Sequence, residues 1–106
     1  MPSHLYKLEG HEAVPVDNLY EWCMWMDSEE LTVDFTRVNG LAVSTVFLGL
    51  AAPRLSEGPP LLFETAITQG QSSWRVVERY STWDEAEKGH RKWVKVAIAK
   101  GSTLMQ

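Results

Sequence analysis

Cysteine is almost missing from this chain: Cys23 stands alone among 106 residues. No internal disulfide can form, so a buried core must hold the fold. Long apolar runs are missing too. The longest, Leu41 to Ala52, is 12 residues and includes Ser44 and Thr45, too short to cross a bilayer as a helix. The start Met1-Pro2-Ser3-His4 carries no basic-then-apolar leader, which together with a lone thiol predicts a cytoplasmic setting and no membrane contact. His4, His11, His90 and Cys23 show neither H-x-x-x-H nor C-x-x-C spacing, and Gly49, Gly58 and Gly70 are isolated. Metal, nucleotide and other cofactor sites are therefore not expected.

Basic residues are scarce in the first third. Residues 1–34 carry Glu9, Glu12, Asp17, Glu21, Asp27, Glu29, Glu30 and Asp34 against Lys7 alone, a net charge of −7, whereas residues 35–106 carry +3. Such asymmetry repels nucleic acid and favours basic protein surfaces; the plainer reading is a solvated face that keeps the chain soluble.

What is present suffices for one domain over residues 1–106, since a chain of this size buries roughly two-thirds of the surface its unfolded form exposes. Residues 1–16 read as an irregular arm or edge strand, interrupted by Gly10 and Pro15. Residues 17–27 read as a helix with Asp17 as N-cap and a buried stripe of Leu19, Trp22, Cys23 and Met26. Trp25 and Met24 fall off that stripe, either under another element or in an exposed patch. Asp27-Ser28-Glu29-Glu30 ends the helix, where negative charge opposes the dipole.

From Thr32 to Tyr80 the period becomes two and predicts an antiparallel sheet. Asn39-Gly40 is a type I′ hairpin signal pairing Val38 with Leu41. It places Val33, Phe35, Ala42, Ser44, Val46 and Leu48 on one face, opposite a partly covered face with Asp34, Thr36, Val43 and Phe47. Ala51 to Pro60, with three prolines, predicts a surface loop. The next two strands pair Ile67 with Trp74, gathering Leu61, Phe63, Val76 and Tyr80, and turning Glu78 to the same nominal face as Arg37.

Thr82-Trp83-Asp84-Glu85 is a capping box that opens a helix over residues 83–100. Its buried stripe is Ala86, His90, Trp93, Val94 and Ala97, with Gly89 marking close packing and Gly101 the stop. Lys88, Arg91, Lys92, Lys95 and Lys100 read as a solvated face. Ser102 to Gln106 remain as a tail. The architecture predicted is α+β: a four-stranded antiparallel β-meander with two helices packed on it.

No catalytic constellation stands out. Cys23 with His90 would need an exposed thiol, and Glu64 with Glu78 fall on different faces. A partner surface is the sharper expectation, built from Glu21, Asp27, Glu29, Glu30 and Trp25, with Arg54 and Glu57 in the stiff loop.

Three tracts carry a resemblance: Val43-Ser44-Thr45-Val46-Phe47-Leu48-Gly49-Leu50; Gly58-Pro59-Pro60-Leu61-Leu62-Phe63-Glu64-Thr65; and Arg79-Tyr80-Ser81-Thr82-Trp83-Asp84-Glu85-Ala86 with Gly89-His90. In this order the chain resembles a family of small proteins of uncharacterised activity encoded by phages and prophages. The resemblance covers roughly residues 6 to 95. Members often carry Asp-His after the Leu50 position, where this chain has Ala51-Ala52, so any role of that pair does not carry over. The resemblance implies a mobile-element origin and no established activity. By analogy of size and lifestyle it suggests a non-enzymatic protein that blocks a host protein or nucleoprotein complex, in its sharpest form an anti-CRISPR-like inhibitor. The alternative is a self-associating structural or accessory phage protein, a possible homodimer joined through a sheet edge or through Phe47, Val43 and Trp25.

Overall fold

The computed structural model describes residues 4–51, 58–70 and 73–105. It is an α+β fold: a two-stranded sheet of β1 (Leu5–Glu9) and β2 (Glu12–Val16), helix α1 (Leu19–Ser28), a four-stranded antiparallel sheet of β3 (Thr32–Val38), β4 (Leu41–Phe47), β5 (Phe63–Gln69) and β6 (Arg75–Tyr80), and helix α2 (Trp83–Lys100). The larger sheet has the order β3-β4-β5-β6, the expected meander.

Asn39-Gly40 makes the predicted turn. Asn39 (φ 55°) and Gly40 (φ 79°) are both left-handed, and Val38 pairs with Leu41. A type I′ turn requires that geometry at both central residues, and it matches the twist of the flanking strands. The buried face of this hairpin is not the expected one. Leu41, Val43, Thr45 and Phe47 are buried toward α2, while Phe35, Ser44 and Val46 lie on the other face. Both faces of β4 are apolar enough to satisfy a period of two, and bulk decides: Val43 and Phe47 can fill the space beneath a helix, whereas Ala42 and Ser44 cannot. A register shift between Thr32 and Asp34 lets Val33 pack toward the core.

The next hairpin also departs from expectation. Ile67 pairs with Arg75, not Trp74, and a second shift between Thr65 and Ala66 leaves Phe63 opposite Tyr80. The shift keeps Phe63, Thr65, Ile67, Val77 and Tyr80 toward the core and leaves Trp74 and Val76 outside. Glu78 does turn to the helix side, opposite Thr65. Arg37, paired with Ala42, lies on the outer face with its guanidinium over the Phe35 ring.

Helix α2 follows its sequence closely. Thr82 accepts from the Glu85 amide (3.1 Å) while the Glu85 carboxylate accepts from the Thr82 amide (3.1 Å), both halves of the capping box. Ala86, Gly89, His90 and Ala97 are buried, with Trp93 and Val94 half-buried beside them. At Gly89 a Cβ would stand 2.1 Å from Tyr80 Oη, so the glycine is what lets helix and sheet meet. Gly101 ends α2, and the residues after it wind into a short 3-10 turn, Gly101–Met105, rather than a plain tail; Leu104 packs back on the core.

The N-terminal region corrects three expectations. Residues 5–16 are a true hairpin, docked on the end of β4 by Tyr6 N–H to Gly49 O (2.8 Å) and a Leu5–Leu50 bridge. The N-cap of α1 is Asn18, whose Oδ1 accepts from the Glu21 amide, so Asp17 lies one residue outside. The packed side of α1 is Trp22, Trp25 and Met26, not Leu19 and Cys23, which are exposed. Trp22 sets this rotation because its Nε1–H reaches both Tyr6 O and Gly49 O at 3.1 Å.

Candidate functional site

Helix α1 and the hairpin build an acidic lobe. Residues 8–36 contain no lysine or arginine. Once Trp22, Trp25 and Met26 face inward, helical geometry turns Tyr20, Met24 and Asp27 to the opposite side, with Glu21 on its flank. Tyr20 is 74%, Leu19 62% and Met24 56% exposed. Exposed apolar side chains among carboxylates resemble the centre and rim of a protein–protein contact patch.

Of the residues expected to form a partner surface, Glu21, Asp27, Glu29 and Glu30 are exposed on or just after α1. Glu21 pairs with Lys7 across to β1 (3.4 Å), a surface bridge of small energetic weight. The Glu30 carboxylate accepts the Thr32 amide (2.8 Å), and that bond holds it below the usual carboxylate range. Trp25 does not join them. It is half-buried, edge-on to Phe47 with ring centres 5.9 Å apart, and anchors α1 to the core. Arg54 and Glu57 lie outside the described residues. Tyr20 was not singled out as a surface residue, and exposure of Met24 was one of two alternatives; a packed side of Trp22, Trp25 and Met26 leaves both pointing away.

The buried polar side chains between α2 and the larger sheet are engaged in packing. His90 is 1% exposed beneath α2, with Nδ1 2.7 Å from Thr45 Oγ1 and Nε2 2.9 Å from Thr36 Oγ1. Thr45 Oγ1 is 2.6 Å from Thr65 Oγ1, which accepts from Tyr80 Oη at 3.0 Å. Each strand of the larger sheet thus contributes one hydroxyl. With Tyr80 donating to Thr65, Thr65 to Thr45 and Thr45 to Nδ1, the Nε2–H is left for Thr36, and every partner is satisfied. Burial pushes the imidazole below its ordinary pKa, opposed by Asp34 at 3.7 Å. Burial likewise pushes the Tyr80 phenol up to about 12.

At the other end of this chain Glu78 accepts from Lys92 and from Trp93 Nε1–H (2.9 Å), with Tyr80 Oη 3.3 Å away and its one proton shared between Glu78 and the nearer Thr65. Burial raises its pKa, and these donors together outweigh that and hold it below the ordinary value. Glu64 points to the opposite face and pairs with Arg79 (3.2 Å), so the two carboxylates are not a catalytic pair. Among the described residues no three His, Cys, Asp or Glu side chains converge as metal ligands, and no helix is long and apolar enough to cross a membrane. Phe47 and Val43 are buried, which removes them from any self-association patch. No protein-family model, curated protein or solved structure matches this chain.

Proposed function

We propose that the protein is a non-enzymatic binding protein whose acidic α1 lobe covers a basic surface of a host protein or nucleoprotein. The observation that carries this reading is the coincidence on one helix of negative charge, offset among the described ion pairs only where Lys7 meets Glu21, and three large exposed apolar side chains, Leu19, Tyr20 and Met24. Charge speeds the encounter and excludes acidic partners, while Tyr20 and Met24 supply the area that desolvates on contact. The resemblance to phage-encoded proteins supports a host target, and an inhibitor that occupies a nucleic-acid groove, as an anti-CRISPR protein does, is its sharpest form.

The test reverses Glu21, Asp27, Glu29 and Glu30 to lysine and compares both proteins as bait in a host lysate. A captured protein that is released by salt and missed by the variant supports the reading. Equal capture by the folded variant at every ionic strength removes the lobe as the recognition surface.

A second reading rests on the outer face of the sheet, where Phe35, Trp74 and Val76 are 45%, 50% and 44% exposed. That face, rather than Phe47, Val43 and Trp25, is the surface through which two copies would associate. Sedimentation as a monomer at all concentrations would count against it.

A further inference from the structure

Between the tip of the β1–β2 hairpin and the start of α2 lies an open cleft of about 810 Å³. Its walls hold three aromatic side chains, Tyr6, His11 and Trp83, and three carboxylates, Glu9, Glu12 and Asp84. His11 lies flat on Trp83, ring centres 3.8 Å apart and planes within 7°. Glu9 and Glu12 are direct cross-strand partners, an arrangement that costs stability because like charges face each other. None of the three carboxylates has an ion-pair partner among the described residues, and no described lysine or arginine lines the cleft. Flat π surfaces beside uncompensated negative charge are the two components that recognise an organic cation.

We propose that this cleft binds the guanidinium group of an arginine side chain presented by a partner protein. Three features select guanidinium over ammonium. The stacked His11–Trp83 pair is a flat wall, which suits a planar delocalised cation. Two carboxylates side by side on neighbouring strands match a fork of N–H donors. Stripping water from the cation where it lies on the aromatic wall costs the strongly hydrated ammonium more than the weakly hydrated guanidinium. The proposal rests on the α1 reading only for the sign of the partner's charge, because the cleft uses none of the α1 residues.

The probe is N-acetyl-arginine-amide, alone and within a Gly-Arg-Gly peptide, titrated into the ¹⁵N-labelled full chain and followed at the Trp83 indole and the Glu9 to Glu12 amides. The lysine and citrulline equivalents serve as controls. Saturable shifts at these positions in the millimolar range with arginine, at least threefold weaker with lysine and absent with citrulline, are expected. Tighter binding of the peptide than of the free residue identifies a protein-borne arginine; equal binding restricts the site to the free cation and overturns the partner assignment. Glu9→Gln with Glu12→Gln should weaken the arginine complex at least fivefold, and since it relieves a like-charge pair the variant should fold. The lysine variant of α1 should bind the probe as the parent does, so failure of one site is separable from failure of the other. No saturable shift at tens of millimolar, citrulline binding as well as arginine, or an unweakened double-glutamine variant overturns the proposal.

Discussion

The two helices of this protein are built on opposite plans. Helix α2 has 18 residues, a complete capping box, four buried residues and a histidine bonded into the sheet. Helix α1 has 10 residues, a single asparagine cap and no fully buried residue. A helix of ten residues is marginal on its own, so three side chains, Trp22, Trp25 and Met26, hold α1 in place. Helix α2 gives a buried stripe to the core, whereas most of the α1 sequence faces the surface. Substitutions should therefore separate sharply between them.

The largest effect belongs to Gly89. Gly89→Ala puts a methyl into the Tyr80 ring, and this overpacking should lower stability by about 2–3 kcal/mol in urea denaturation even though alanine is the better helix former. An unchanged midpoint would mean that α2 and β6 are not in contact at this point. His90→Ala comes next at about 2 kcal/mol or more, from a cavity and from the hydroxyls it leaves short of a partner.

His90 also predicts a pH dependence. Its folded pKa is depressed below the ordinary 6.5. As pH falls through about 6.5 the unfolded chain takes up a proton that the folded chain refuses, so stability should decline toward acid by at most about 1.4 kcal/mol per pH unit. His90→Gln should flatten that slope. At the alkaline end the raised Tyr80 pKa reverses the sign: stability should fall between pH 10 and about 12 and not do so in Tyr80→Phe.

The smallest effects belong to α1. Tyr20→Ser with Met24→Ser should change the urea midpoint by less than about 0.5 kcal/mol, as exposed substitutions do. A large loss would show that these side chains serve the fold and not a partner.

Much of this contrast was legible in the sequence. Thr82 to Glu85, the Ala86–Ala97 stripe, Gly89 and the Asn39-Gly40 turn are local signals whose chemistry acts within a few residues, and the structure keeps all of them. The rotation of α1 was not legible, because it is fixed by Trp22 reaching backbone carbonyls 16 and 27 residues away. The buried face of β4 was hidden by apolar residues on both sides. The threonines of the sheet look like surface residues until Thr36, Thr45 and Thr65 are seen joined to His90 and Tyr80. Registers failed at Val33 and Val77 for a related reason: each irregularity inserts one residue, and a period of two carries no warning of it.

The order β3-β4-β5-β6-α2 has a consequence for biosynthesis. Every strand pairs with the one made just before it, so the meander can assemble stepwise from near neighbours as the chain leaves the ribosome. The helix that covers Val43, Phe47, Phe63 and Ile67 is made after all four strands. Until α2 emerges, the growing chain shows a sticky sheet covered only toward Phe47, by Trp25 and Met26 of α1. A chain stopped before Thr82 should therefore be held by chaperones or aggregate, and the capping box that starts α2 at once after β6 keeps that interval short.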